Sequence, residues 1–175
     1  MSGTLETVRT GLFIGGQPRD TTEALEVADP AKPGAIVGHA ASASKQDVDD
    51  AVAAAKSAFP AWSALTAVER AAVMADAIAG IADERDVDAA VLSQENGKIA
   101  FESFIDVLVL ELRWNLALIH AEEVDTGKVL PVVPGIPVET SVAYQPLGVV
   151  TVIVPFNWPI AILGASRTLC WPATP

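Results

Sequence analysis

The chain has little cysteine and few basic residues. It carries a single cysteine among 175 residues, which excludes an internal disulfide and favours a reducing, cytoplasmic compartment. Eleven lysines and arginines stand against 22 acidic residues, and the net charge of −11 argues against binding to nucleic acid or anionic lipid. The first residues lack the basic and then apolar layout of a secretory signal. No spacing of histidine, cysteine and carboxylate residues fits a metal site.

Hydrophobic residues make up 51 % of the chain, enough for the core of one domain. The uncharged segment 147–165 has about the length of a membrane-spanning helix. However, Pro155 and Pro159 interrupt it, and Asn157 would carry an unpaired amide into lipid. We therefore interpret residues 149–154, which are mostly β-branched, as a buried parallel strand rather than as part of a membrane span.

Helix start and stop signals follow a group of short strands predicted in the first forty residues. Ser44 with Asp47, and Thr66 with Glu69, resemble capping boxes that open two helices. Pro60 is expected to end the first of these helices.

The second helix is expected to end near residue 81, and a third to cover 83–95 and stop at Asn96-Gly97. The segment 100–122 predicts a mostly apolar helix that must be buried on several sides, by its own domain or by a partner. Its polar residues fall on one narrow stripe: Glu102, Asp106, Arg113 and His120.

The pattern after Gly127 changes from helical to alternating. Residues 138–145 alternate between apolar and polar, which predicts a half-exposed antiparallel or edge strand, and 149–154 then reads as a continuous apolar strand. The sequence therefore predicts an α/β fold in which the chain passes from a peripheral sheet into a central parallel one.

Asn157 lies where that central strand is expected to turn into its helix, the place where open α/β sheets bind ligands. Its uncharged amide suits stabilisation of an oxygen that becomes negative only during reaction. The alternative is structural: Asn157 simply caps the helix that begins near Pro159. Spacing alone favours the helix cap.

Several stretches together resemble the aldehyde dehydrogenase superfamily. The most specific is YQPLGVVTVIVPFNWPIAIL, in which a Pro-Leu-Gly-Val-Val strand leads to a Pro-Trp-Asn-Phe-Pro type motif with its two aromatic positions exchanged. LFIGGQ with DPA, AVAAAKSAFPAWSALTAVER, and ENGK before an acid-bearing helix fit the same family. The resemblance covers nearly the whole chain up to about Ser166.

This resemblance implies a Rossmann-type coenzyme domain, NAD or NADP as coenzyme and an aldehyde as substrate. It implies that Asn157 helps to hold the oxyanion of a thiohemiacetal, and that 138–145 belongs to an arm used for oligomerisation. The strand end that lines the coenzyme cleft would be Ile153, Val154, Pro155 and Phe156.

We accordingly divide the chain into four segments. Residues 1–137 form the N-terminal strands and the helical part of the coenzyme domain, 138–146 the arm strand, 147–166 the first strand and helix of the Rossmann-type sheet, and 167–175 a tail outside the family pattern. If the codons are GC-rich, an offset reading of 166–175 can encode a family-like continuation. We therefore hypothesise a frameshift near residue 167, which sequencing of the coding DNA tests.

The sequence lacks the family's nucleophilic cysteine, general-base glutamate and later coenzyme-binding elements. The first hypothesis is an aldehyde dehydrogenase-like chain that is inactive alone, because hydride transfer requires a thiolate first. The second is a non-catalytic module that forms a homo-oligomer or docks on a full-length homologue through 100–122 and 138–145. A third makes Cys170 the nucleophile, but about 20 Å of helix would separate it from Asn157.

Overall fold

The computed structural model of the chain describes residues 7–131, 134–135 and 138–165. Within these ranges the α/β fold predicted from the sequence is confirmed, with short strands first and helices after them. The helices of this described part are all too short or too polar to cross a bilayer.

Short strands occupy the first 41 residues. They are β1 (Val8–Thr10), β2 (Leu12–Ile14), β3 (Gln17–Arg19), β4 (Ala24–Ala28) and β5 (Ile36–Ala41). Strand β5 is the centre of a three-stranded sheet, parallel to β1 and antiparallel to β4. Strands β2 and β3 form a separate hairpin whose turn, Gly15-Gly16, has positive φ at both residues (60° and 78°).

Helix α1 (Lys45–Ala64) begins at the predicted capping box, in which Ser44 and Asp47 bond each other's backbone N–H. The prediction that Pro60 ends this helix is wrong, because Pro60 lies inside it. The Ser63 hydroxyl donates to the Pro60 carbonyl, and the Leu65 N–H donates to the Trp62 carbonyl. These bonds keep the last turn closed beyond the proline.

Helix α2 (Ala67–Asn96) is a single helix of 30 residues, so the predicted division near residues 81–83 is wrong. Gly80 stands next to that point, but packing against the next helix outweighs this weak local signal. Both of its ends are as predicted. Thr66 and Glu69 form the capping box, and Gly97 ends the helix in the left-handed region with φ 79°.

The predicted helix 100–122 is divided into α3 (Ala100–Ile119) and α4 (Ala121–Thr126), with His120 between them. Its buried face also differs from the prediction. Asp106, expected on a polar stripe, is completely buried, whereas Phe101 is 69 % exposed. The cause is ionic: basic side chains from α2 and from the linker after it pair with carboxylates on this face of α3.

The predicted strand 138–145 is reduced to β7 (Ser141–Val142), which pairs antiparallel with β6 (Lys128–Val129). The predicted strand 149–154 is not assigned as a strand, because no neighbouring strand in the described residues pairs with it. Burial nevertheless alternates along it, since Val150, Val152 and Val154 are half-buried and the residues between them are exposed. Helix α5 (Pro159–Ala165) follows.

The core lies mainly between helices. Leu92 of α2 and Val107 and Leu110 of α3 are buried, and α3 packs against α5 on another side. A Cβ at Gly164 of α5 would come within 2.7 Å of the Leu110 Cα, so glycine permits the close approach of these two helices. The loop before α5 is thereby held against the C-terminal end of α2 and the start of α3.

Candidate functional site

Residues 155–158 connect the extended segment to α5 and carry Asn157. This segment is called the Asn157 loop below. Asn157 is exposed, Phe156 is 84 % exposed, and Trp158 is half-buried. The loop therefore presents its amide and one aromatic ring outward while the other ring is held inward.

The residue before Asn157 is anchored by the end of α2. The Asn96 side chain donates from Nδ2 to the Phe156 carbonyl over 2.7 Å. Gly97 turns the chain next to Pro30, whose Cγ would be 2.9 Å from an added Cβ. The Ser93 hydroxyl donates to the Lys98 carbonyl at 2.7 Å. The short segment from Asn96 to Lys98 is thus fixed by backbone geometry and by hydrogen bonds on both sides.

The residue after Asn157 is anchored by a cation. The Lys98 ammonium lies 4.0 Å from the centre of the Trp158 ring, a cation–π contact. The same Nζ lies 2.5 Å from Oδ2 of Asp106. The side chains of Lys98 and Asp106 are 9 % and 0 % exposed, so this ion pair is shielded from solvent.

The other oxygen of Asp106 reaches the first turn of α5. Its Oδ1 accepts the Ala161 N–H at 2.6 Å, one of the helix-terminal donors that have no partner within their own helix. Arg113 of α3 donates to the Ala161 carbonyl. Asp106 therefore joins α3, Lys98 and α5 through one carboxylate.

Asn157 itself makes no hydrogen bond to any other described residue. The sequence left two interpretations of this residue open. The Ile162 N–H donates to the Trp158 carbonyl, so the N-cap position of α5 is Trp158, and the Ala161 N–H of the first turn is bonded to Asp106. This geometry opposes the interpretation of Asn157 as a helix cap.

The predicted coenzyme-lining residues lead directly to this loop. Ile153 is 89 % exposed, Pro155 and Phe156 are also exposed, and Val154 is half-buried. Burial raises the pKa of the Glu95 carboxyl, at the end of α2 and beside β5, above its usual value.

Other candidates lie elsewhere. His39 is in the middle of β5, and His120 at the α3–α4 junction has its Nδ1 3.3 Å from a carboxylate oxygen of Glu123. Cys170 falls outside the described residues. Within the described part of the chain, no three histidine, cysteine or carboxylate residues are grouped as metal ligands would be.

Sequence reasoning missed the roles of Asn96, Lys98 and Asp106. The motif ENGK and the acid-bearing helix were recognised only as parts of a pattern, and Asp106 was assigned to a polar stripe. A carboxylate with apolar residues directly on both sides, eight residues after a lysine, was the available signal. Burial of one charge requires a partner, and Lys98 is the nearest cation in the sequence before it.

Comparison with known proteins decides the family. The model of the aldehyde dehydrogenase family matches residues 17–170. The chain belongs to the aldehyde dehydrogenase family. The match extends past residue 166, near which the resemblance was expected to end, so the tail predicted from residue 167 overlaps it.

A curated aldehyde dehydrogenase relative is the N-succinylglutamate 5-semialdehyde dehydrogenase of Burkholderia mallei (strain SAVP1). It is 31 % identical over 150 residues, which cover 86 % of this chain and 30 % of the relative. The chain thus spans about a third of the length of the curated relatives it matches.

Solved structures, among them that of an aldehyde dehydrogenase, share the fold. An NAD-dependent aldehyde dehydrogenase from Sinorhizobium meliloti superposes with a TM-score of 0.77 at 26 % identity, covering 92 % of this chain and 32 % of that one. An NADP-dependent enzyme from E. coli does so with a TM-score of 0.73 at 29 % identity, covering 89 % and 32 %. The chain therefore has the fold of the N-terminal part of an aldehyde dehydrogenase, and the relatives include users of either coenzyme.

Proposed function

We propose that this chain supplies the oxyanion-binding amide and one wall of the coenzyme cleft of an NAD(P)-dependent aldehyde dehydrogenase. The observation that carries the proposal is the exposed Asn157 amide, which has no partner among the described residues although both of its neighbours are anchored. A donor whose loop is restrained on both sides, and whose amide is unused in the free protein, suits an oxygen that gains charge in a transition state.

We assign the strand end Ile153, Val154, Pro155 and Phe156 to the coenzyme cleft as part of the same proposal. The exposed side chains of Ile153 and Phe156 offer apolar surface to a planar ring system, as coenzyme pockets commonly do. The resemblance assigns the groups that distinguish NAD from NADP to a later part of the family fold, so we propose either coenzyme for this surface.

We further propose that the isolated chain does not oxidise aldehydes. The reaction requires a thiolate nucleophile to form the thiohemiacetal before hydride leaves, and the resemblance assigns that cysteine and the general-base glutamate to a part of the family fold beyond this one. A cytoplasmic location, suggested by the single cysteine, belongs to the same proposal.

A chimera tests the role of Asn157. Residues 17–165 of this chain replace the matching segment of the Burkholderia mallei relative, and turnover is followed by the absorbance of the reduced coenzyme. Asn157→Ala is expected to lower kcat about 100- to 1,000-fold, the usual cost of losing one oxyanion donor, and to leave KM for the coenzyme nearly unchanged. Asn115→Ala, on the exposed side of α3, is the matched control. Equal kcat in the two variants would reject the assignment.

A second candidate function is a non-catalytic module that binds a full-length homologue or a second copy. The observation in its favour is exposed apolar surface on α3, where Phe101, Leu112 and Ile119 are all more than half exposed. Size-exclusion chromatography with a full-length relative separates the two candidates. Co-elution as a defined complex supports the module, and independent elution opposes it.

A further inference from the structure

We infer that Lys98 and Asp106 are positioning residues of the Asn157 loop, acting through the Trp158 ring and the Ala161 N–H. The inference deepens the proposed function and rests on it only for the claim that the positioned amide serves catalysis. The positioning itself follows from the contacts of the two side chains.

The Asn157 loop is held at points on both sides of Asn157 and not at Asn157 itself. The Phe156 carbonyl is bonded to Asn96, and the Trp158 ring lies 4.0 Å from the Lys98 ammonium. The loop backbone is therefore restrained while the amide between the anchors faces solvent. This arrangement restrains the backbone position of Asn157 and leaves the hydrogen-bonding groups of its side chain unoccupied.

The anchor of the loop is a buried ion pair. A buried ion pair is seldom more stabilising than an apolar pair of the same volume, because both charges must leave water. Lys98 and Asp106 are both at least nine-tenths buried, and each has a second contact that an apolar residue could not make. Lys98 attracts the face of Trp158 electrostatically, and Asp106 accepts the Ala161 N–H.

The two contacts fix different parts of the connection between the Asn157 loop and α5. Asp106 sets the start of α5, and Lys98 sets the side chain immediately before that helix. The ion pair between them, with 2.5 Å from Nζ to Oδ2, makes the two positions depend on each other. Loss of the lysine charge should therefore release the loop more than it releases α5.

The test measures backbone order by NMR relaxation in the full chain, without coenzyme or aldehyde. The variant Lys98→Met/Asp106→Asn removes both charges, avoids an unpaired buried ion, and keeps an amide oxygen that can accept the Ala161 N–H. The order parameters of Asn157 and Trp158 are expected to fall from about 0.85 to about 0.6 or below, while that of Ala161 stays near its original value. The indole N–H resonance of Trp158 is also expected to shift.

The matched control is Lys45→Met/Asp49→Asn. This pair lies on α1, with 2.5 Å from Nζ to Oδ2, and both side chains are more than half exposed. It should leave the Asn157 loop unchanged.

Unchanged order at residues 157 and 158 in the first double variant would overturn the inference. Loss of the whole fold in that variant would overturn it too, because the pair would then support the helical layer and not the loop. Since the readout contains no reaction, it is independent of the chimera test. Failure of the Asn157→Ala prediction would remove the catalytic role and leave the positioning result standing.

Discussion

The helical pattern around Asp106 predicts its position wrongly, and the bonding partners of its carboxylate explain the position that it has. The spacing predicts Asp106 on a narrow polar stripe with Glu102, yet its side chain is completely buried. Burial is tolerated because both oxygens are used, one by the Lys98 ammonium and one by the Ala161 N–H. What a helical wheel cannot supply is the position of those donors, since Ala161 is 55 residues away along the chain.

Removing one partner of this pair should destabilise the protein more than removing both. Lys98→Met alone leaves the Asp106 carboxylate buried without its cation, and we expect the free energy of unfolding to fall by about 3–5 kcal/mol. Adding Asp106→Asn should recover most of that loss, since no buried charge is left. Urea unfolding followed by circular dichroism measures the free energy of unfolding of the single and the double variant. Lys45→Met, on an exposed pair, should change stability by less than about 1 kcal/mol. A double variant as unstable as the single one would contradict the prediction.

At the scale of elements, α2 gives two glycines with opposite expected behaviour. Gly80 is exposed in the helix interior, and no atom lies within 4 Å of an added Cβ, so Gly80→Ala should stabilise the protein by about 0.5–1 kcal/mol. Gly97 has φ 79° and Pro30 Cγ would be 2.9 Å from the new Cβ, so Gly97→Ala should destabilise it by about 1 kcal/mol or more. Urea unfolding of the two variants in parallel is the measurement. Effects of the same sign would show that α2 does not continue through Gly80 and end at Gly97.

The start of α1 should make stability depend on acid pH. The Ser44 hydroxyl, then the Ser44 backbone N–H and Arg19, lower the pKa of Asp47 from 3.8 to about 2. Because the folded-state pKa is lower than the unfolded one, this contribution is complete above the unfolded value of 3.8 and is lost as the pH falls toward 2. Asp47→Asn should remove that part of the pH dependence. Unfolding free energies measured from about pH 5 down to about pH 2 test this.

The control for this titration is Asn115→Ala, at an exposed and uncharged position on α3. In that variant the unfolding free energy should depend on pH as it does in the unmodified chain over the same pH range. A slope that persists in Asp47→Asn would mean that other carboxylates carry the acid dependence.

How much of the fold could be predicted differs by element for a physical reason. Ser44, Thr66 and Gly97 were identified because caps act over three or four residues of sequence. The unbroken α2 and the buried face of α3 depend on contacts between elements, and the local bonds that carry α1 past Pro60 depend on the geometry of its last turn. The candidate site divides in the same way: Asn157 was found from its motif, whereas Lys98 and Asp106 required the packing of α3 against α5.

At the scale of the whole molecule, exposed apolar surface is combined with a net charge of −11. The segment 149–154 is paired with no strand in the described part of the chain, and Ile153 is 89 % exposed. Unpaired backbone beside apolar side chains favours association, and repulsion between acidic surfaces opposes it at low salt. The balance should therefore shift with ionic strength.

We accordingly expect self-association that increases with protein concentration and with salt, measured by sedimentation velocity. Ile153→Lys places a charge on the exposed edge and should reduce the associated fraction several-fold, because a charged side chain on an edge disfavours strand pairing. Val73→Lys makes the same change in charge on exposed α2 and should have little effect. If the two variants associate equally, overall charge and not the edge controls assembly. If neither variant nor the original chain associates, the apolar surface around 149–154 is compatible with a monomer.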